Sequence, residues 1–353
     1  MFHFIKNMVE YNIRTKEVFM SDLLNHYYCG ELVLEKINFG PRTIVESNRD
    51  LFDLGCQGPD FFLYNGVSPW KKDRGIQRFG SLIHRAPTSD LFYIMSKFTK
   101  EHNNEALKKK YASYLFGYVC HHTLDSITHP FIFYFSGVKD KNDPNTDIYS
   151  HYHKKFEMYL DVFMAKKLEK KGPLDFPMGE IFTLNDVDRD IVYTLNKKML
   201  EEIFNEYLEK SDVDDSLKEA SSLLKLFPDK RGIKFKIFTI LEKLLKKPYI
   251  ITKAIVTKNI QDTEDYMNLN HDIWVHPCNK NETYRDSYPD LFYKAVGEAI
   301  PKINKIYELL YNKELTKEEI HKLFYNISFE TGKHVSPETG ESHPMLYCDV
   351  KKI

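Results

Sequence analysis

The stretch Tyr111-Ala-Ser-Tyr-Leu-Phe-Gly-Tyr-Val-Cys-His121-His122-Thr-Leu-Asp125-Ser-Ile-Thr-His129-Pro130, followed by His153-Lys-Lys-Phe-Glu157, decides how this chain is read. His121 and Asp125 are four residues apart and share one face of a helix. His153 and Glu157 repeat that spacing. Two side chains so placed can grip one ion from a single helix, and imidazole with carboxylate is a ligand mix that zinc favours. Tyr114–Val119 is strongly apolar, so the helix is expected to be buried, and buried His and Asp require partners. Pro130 disfavours helical geometry at the residue before it. The helix is therefore expected to end near Ser126–His129, with His129 at its mouth and free to face a second ion.

Around this stretch the chain reads as all-helical. Predicted helices cover 22–38, 46–54, 88–98, 106–128 and 151–170 in the first half. In the second half they cover 185–210, 214–227, 234–246, 253–265, 289–310 and 316–325. The last opens on Thr316-x-x-Glu319, a capping box, and Pro301 is expected to kink its helix. Residues 66–84 and 136–149 read as loops, and Gln57-Gly58-Pro59-Asp60 as a sharp turn that presents Asp60. Residues 171–184 are the best candidate boundary, between a metal-ligand half at about 20–170 and a helical half at about 171–353. Nothing there resembles a flexible linker, and one multi-helix bundle over 20–353 is expected. Met20-Ser-Asp-Leu-Leu-Asn-His26 looks like a natural start with Ser21 or Asp22 as helix cap, which makes 1–19 a possible N-terminal extension.

Composition limits the function. The chain has 353 residues, 42% of them hydrophobic, with 25 Phe and 23 Tyr, which suits a packed core and excludes disorder. Lys plus Arg number 50 and Asp plus Glu 51, so net charge gives no reason to expect nucleic acid. Five cysteines form no Cys-x-x-Cys pair and read as reduced thiols of a cytoplasmic protein. Cys120 is expected in the core. No apolar run is long enough for a transmembrane helix, and charges interrupt any signal-peptide core in 1–20.

Taken singly, His26, Asp60 and His84 read as a helix histidine, a turn former and a core histidine. Together with the opening stretch they make an ordered series: His26, Asp60, His84, His121, Asp125, His129, His153, Glu157. That order resembles the zinc-dependent phospholipase C family, which includes secreted bacillus phospholipase C and clostridial alpha-toxin. His153-Lys-Lys-Phe-Glu157 is close to the family's His-x-Lys-Phe-Glu. Leu23-Leu-Asn-His26-Tyr27, Gly55-Cys-Gln-Gly-Pro-Asp60 and Leu269-Asn-His271-Asp-Ile-Trp274-Val-His-Pro277 are similar to segments of intracellular clostridial members. The resemblance implies an α-helical fold and two or three zinc ions. One ion would be held by Asp60, His84, His121 and Asp125. Another would be held by His129, His153 and Glu157, and a third by His26 with a bridging Asp125. It implies phosphodiester hydrolysis, with Asp60 orienting or deprotonating the attacking water. Two features depart from the secreted members. No Trp lies near His26, and Asp125 to His129 is a shorter step.

Other histidines carry less. His122 is expected to face away from His121 in a structural role, His151 is a reserve ligand, and Asp161 continues the His153/Glu157 face. His271 and His276 flank Trp274 in core or pocket wall. His3, His102, His321, His334 and His343 read as surface.

The leading expectation is a phospholipid or related phosphodiester as substrate. The alternatives are a single-strand nuclease-like activity, since fungal nucleases share the order of ligands, and a non-catalytic protein that keeps metals for structure. Residues 225–258 carry ten Lys or Arg against Asp229 and Glu242. Ile237, Leu241, Leu244 and Leu245 form a stripe beside Lys243, Lys246 and Lys247. Such a helix can touch a membrane peripherally, although a core-packed helix with a solvated basic face is the favoured expectation.

Overall fold

Helix α6, Glu105–Ser136, is the axis of the molecule. The structure is a computed structural model and describes residues 23–66, 74–140, 142–244, 252, 255–258, 260–336 and 343–351. Asn104 caps α6 by accepting bonds from the backbone N–H groups of Ala106 and Leu107. From Tyr111 to Ser126 every residue is buried. A helix that is apolar on all sides must be surrounded, and this one is. Packed on it are α1 (Leu23–Leu34), α2 (Phe39–Glu46), α3 (Arg49–Gly55), α5 (Thr88–Glu101), α7 (Asp147–Lys167), α8 (Asp186–Phe204) and α11 (Tyr288–Tyr311). The closest approach is between α3 and α6. A methyl group at Gly55 would lie 2.3 Å from the Tyr114 carbonyl oxygen, and one at Gly117 would lie 2.2 Å from that of Phe52. Only paired glycines allow the backbones so near.

Among the described residues the remaining α-helices are α4 (Gln77–Ile83), α9 (Lys210–Leu226), α10 (Ile233–Leu244) and α12 (Lys317–Phe324). Sheet is slight. Pro228–Asp229 pairs in parallel with Val256–Thr257, and Trp274–His276 pairs antiparallel with Asn279–Tyr284. One hydrophobic cluster runs from Leu23 to Phe329 and takes side chains from both halves of the chain. Among the described residues no helix is long and apolar enough to cross a membrane. Cys29, Cys56 and Cys120 are buried and lie in no disulfide among the described residues.

Several expectations are corrected. Helix α6 does not end before Pro130 but runs to Ser136, with Pro130 inside it. A proline there removes one N–H and costs about 3 kcal/mol. Burial of Phe131, Ile132 and Phe135 beyond it outweighs that cost. The segment expected as loop at 66–84 contains α4, whose Phe79 and Ile83 are buried. Among the described residues of 253–265 there is no helix. Val256 and Thr257 form a strand, and Asp265, Asn268 and His271 take positive φ, which ends any helical run. His271 is exposed, whereas Trp274 is buried and donates its indole N–H to the Asp286 carbonyl at 3.0 Å. Helix α11 runs unbroken through Pro301, which faces solvent. Thr316 does cap α12, accepting from the Glu319 N–H. The expected Ser21 or Asp22 cap and the extension at 1–19 lie outside the described residues.

Candidate metal centre

All eight acid and histidine residues of the sequence series converge. Seven of them, His26, Asp60, His84, Asp125, His129, His153 and Glu157, line one cavity of about 260 Å³, and His121 stands behind it. Their ligand atoms fall into three groups within 4.8 Å: His26, His121 and Asp125; Asp60, His84 and His121; and His129, His153 and Glu157. Each group contains both imidazole and carboxylate, and each could hold a metal ion.

Different elements deliver them. Helix α1 carries His26. Asp60 opens a short 3-10 turn, Asp60–Tyr64, and His84 sits at the C-terminal end of α4. Helix α6 carries His121, Asp125 and His129, successive members of an i, i+4 row. Helix α7 carries His153 and Glu157. The turn before Asp60 is shaped around His121: Gly58 has φ +52°, and a methyl group there would meet the His121 ring at 2.1 Å. That glycine supplies a left-handed bend and leaves room for an imidazole at the same point.

Asp125 joins the groups. Its Oδ1 lies 3.0 Å from His26 Nε2 and 3.9 Å from His129 Nε2. Its Oδ2 lies 3.2 Å from His121 Nε2 and 3.6 Å from His84 Nε2. His84 Nε2 is also 3.3 Å from Asp60 Oδ1. At the far end Glu157 Oε1 is 3.0 Å from His153 Nε2 and 3.7 Å from His129 Nε2.

The histidine tautomers test whether a cation fits. His84 Nδ1 lies 2.9 Å from the Gly80 carbonyl and His129 Nδ1 lies 2.8 Å from the Phe329 carbonyl. A carbonyl only accepts, so each Nδ1 carries the proton and a neutral ring offers Nε2 as a lone pair. Both lone pairs then point at carboxylate oxygens, and His84 Nε2 also faces His121 Nε2 at 3.4 Å. Acceptor facing acceptor is unfavourable unless a proton or a metal ion lies between. The donor set therefore fits a metal. Without one, protons fill the gap. Burial opposes the charge on His84, but hydrogen bonding to Asp125 and the charges of Asp60 and Asp125 raise its pKa to about 9. Burial likewise opposes the charge on His129, yet Asp125 and Glu157 raise it to about 10. Burial keeps His121 neutral, well below the usual histidine range. Burial also opposes the charge on Asp125 and on Glu157. The surrounding histidines outweigh it and hold both well below the ordinary carboxylate range.

Residues outside the eight complete the site. Asp161, one turn beyond Glu157 on α7, accepts from the backbone N–H groups of Leu24 at 3.1 Å and Asn25 at 2.8 Å. It ties the first turn of α1, and so His26, to the helix of His153 and Glu157. The segment 327–335 adds Phe329, whose carbonyl orients His129 and whose ring packs on His84, His121 and His122. Glu330, Lys139, Tyr149 and the buried Lys154 line the same cavity. The sequence reading missed Phe329 because a main-chain carbonyl carries no residue-type signal. His122 points away from the cavity, as expected: its Nε2 is 2.9 Å from the Ile327 carbonyl. The reserve ligand His151 is buried but belongs to none of the three groups.

An all-helical protein with a row of imidazole and carboxylate ligands in one cleft is the class that fold and site define. Comparison with known families agrees: residues 25–223, more than half of the chain, match the family described as zinc dependent phospholipase C, and the chain belongs to that family. No curated protein and no solved structure matches it.

Proposed function

We propose that this protein is a zinc-dependent phosphodiester hydrolase of the phospholipase C type, acting on a phospholipid. The observation that supports it most is the tautomer lock on His84 and His129, which turns two Nε2 lone pairs toward carboxylates in a cavity. Asp60, His84, His121 and Asp125 would hold one ion. His129, His153 and Glu157 would hold a second, and His26 with the bridging Asp125 a third. Bound ions would supply Lewis acidity, lowering the pKa of water toward neutrality and offsetting charge on the phosphoryl oxygens.

The chain's own groups have separate tasks. Asp60 opens the cavity wall beside His84, where its carboxylate can orient the attacking water and receive its proton. Lys154, and Lys139 with its ammonium paired to Asp147 at 2.8 Å, also line the cavity, and their positive charge suits an anionic phosphate. Phe133 and Tyr149 give the same cavity apolar walls for the non-reacting part of the substrate.

The test is metal content per chain, followed by hydrolysis of phospholipid and of single-stranded DNA by one preparation. Two or three zinc ions with lipid hydrolysis support the reading. Cleavage of DNA alone would replace the substrate class, and a metal-loaded chain inert on both would leave a structural role.

A further inference from the structure

Helix α10, Ile233–Leu244, turns an apolar stripe away from the protein. Ile233, Ile237, Ile240 and Leu244 are 52%, 42%, 60% and 72% exposed, and their spacing of four, three and four places them on one face. Phe235 is also exposed. Only Phe238, Leu241 and Glu242 face the core. The structure thus corrects the favoured sequence expectation of an apolar stripe packed inward. That stripe is divided: Leu241 goes in, while Ile237 and Leu244 go out.

The inner face is anchored by polar contacts. Glu242 accepts from the Thr252 N–H at 2.9 Å and from its hydroxyl at 2.6 Å. Lys234 Nζ donates to the Leu226 carbonyl at 2.7 Å and the Pro228 carbonyl at 3.1 Å, which ties α10 to the C-terminal end of α9. Lys236 and Lys243 lie seven residues apart, on the flank of the outward stripe that faces away from the core, and both are exposed. Arg231, just before the helix, is exposed too. An apolar ridge edged by cations matches an anionic bilayer, whose headgroups meet the lysines while its acyl boundary receives the isoleucines.

We propose that α10 docks this protein on an anionic lipid surface, with Ile233, Ile237, Ile240 and Leu244 entering the interface and Lys236 and Lys243 contacting the headgroups. Charge complementarity and outward apolar side chains carry this assignment, whatever the metal centre does.

The experiment is flotation of the full chain with vesicles of phosphatidylglycerol and phosphatidylcholine, against vesicles of phosphatidylcholine alone. The wild type should bind the anionic vesicles, and less so at high salt. The double variant Ile237→Glu/Ile240→Glu should bind at least about tenfold more weakly while its thermal unfolding is unchanged, because both side chains are exposed. Lys236→Glu/Lys243→Glu should lose the preference for anionic vesicles. A water-soluble short-chain phospholipid reads the metal centre alone, and the isoleucine variant should hydrolyse it as the wild type does. If neither hydrolyses it but vesicle binding still depends on α10, the hydrolase reading fails and the docking surface stands. Absence of binding by the full chain, or unchanged binding by the isoleucine variant, overturns the docking proposal. So does a wild-type dimer that the isoleucine substitutions dissociate without any vesicle binding, since the stripe would then join two copies of the chain.

Discussion

His121 and His122 are adjacent in sequence, yet they point to different sides of α6. His121 faces two other histidines, His26 and His84, and two carboxylates, Asp60 and Asp125. His122 sits among Phe92, Phe324 and Phe329 with one carbonyl as partner. One side of the helix concentrates polar groups that share a cation or protons. The other keeps His122 neutral: burial, with the Lys302 charge nearby, lowers its pKa to about 3. The same segment serves both faces, Phe329 through its carbonyl on His129 and Ile327 through its carbonyl on His122. The residue type therefore says less than the face, and the face is decided by what packs there.

The sharpest way to break this contrast is Asp125→Ala. Its carboxylate is within reach of four histidines, so metal content should fall in more than one group. Activity should fall about a thousandfold, as loss of several kcal/mol of transition-state stabilisation implies. Metal analysis beside a kinetic assay checks both, and full zinc occupancy in the variant would refute the assignment. His122→Phe should keep every ion. It should cost about 1–3 kcal/mol for the stranded Ile327 carbonyl, read from denaturant unfolding.

A smaller substitution probes the turn. Gly58→Ala puts a methyl group into the His121 ring at a positive φ, with strain of about 1–3 kcal/mol. Zinc should dissociate more readily from the groups containing His121 than from His129, His153 and Glu157. Equal weakening of all groups would show that the turn does not position His121. Asp161→Ala removes the tie on α1. It should cost about 1 kcal/mol of stability and about 10–100-fold in affinity at the His26 group, measurable by competition with a chelator.

The two faces should also answer pH in opposite directions in chelator-stripped protein. His129 has its pKa raised to about 10, so its stabilisation is present below the unfolded value of about 6.5 and is lost as pH rises toward 10. His122 has its pKa lowered to about 3, so its contribution is present above about 6.5 and is lost as pH falls toward 3, at about 1.4 kcal/mol per pH unit. Unfolding free energies of wild type minus His129→Gln, and of wild type minus His122→Phe, should slope in opposite senses. Parallel slopes would mean that the two environments are not as different as their geometry indicates.

Much of this was legible in the chain itself. Spacing of four residues put His121 with Asp125 and His153 with Glu157, because helix periodicity is local. The apolar surroundings of that stretch placed its helix in the core. The order of the eight ligands is by itself a signature of the family. Other features needed the packed molecule. Pro130 marks a helix end on local grounds, and only the burial of Phe131, Ile132 and Phe135 beyond it carries α6 onward. Asp161 continues the His153/Glu157 face, but its bonds to the backbone of Leu24 and Asn25 appear only in the fold. The Phe329 carbonyl reaches the site from a distant part of the chain, and main-chain acceptors look the same at every residue. On α10 the sequence supplied an amphipathic stripe but not its direction, since two apolar edges compete for one core. Periodicity determines which residues share a face. Which face meets the core, a metal ion or solvent is decided by tertiary packing, where burial free energy is summed over the whole chain and not residue by residue.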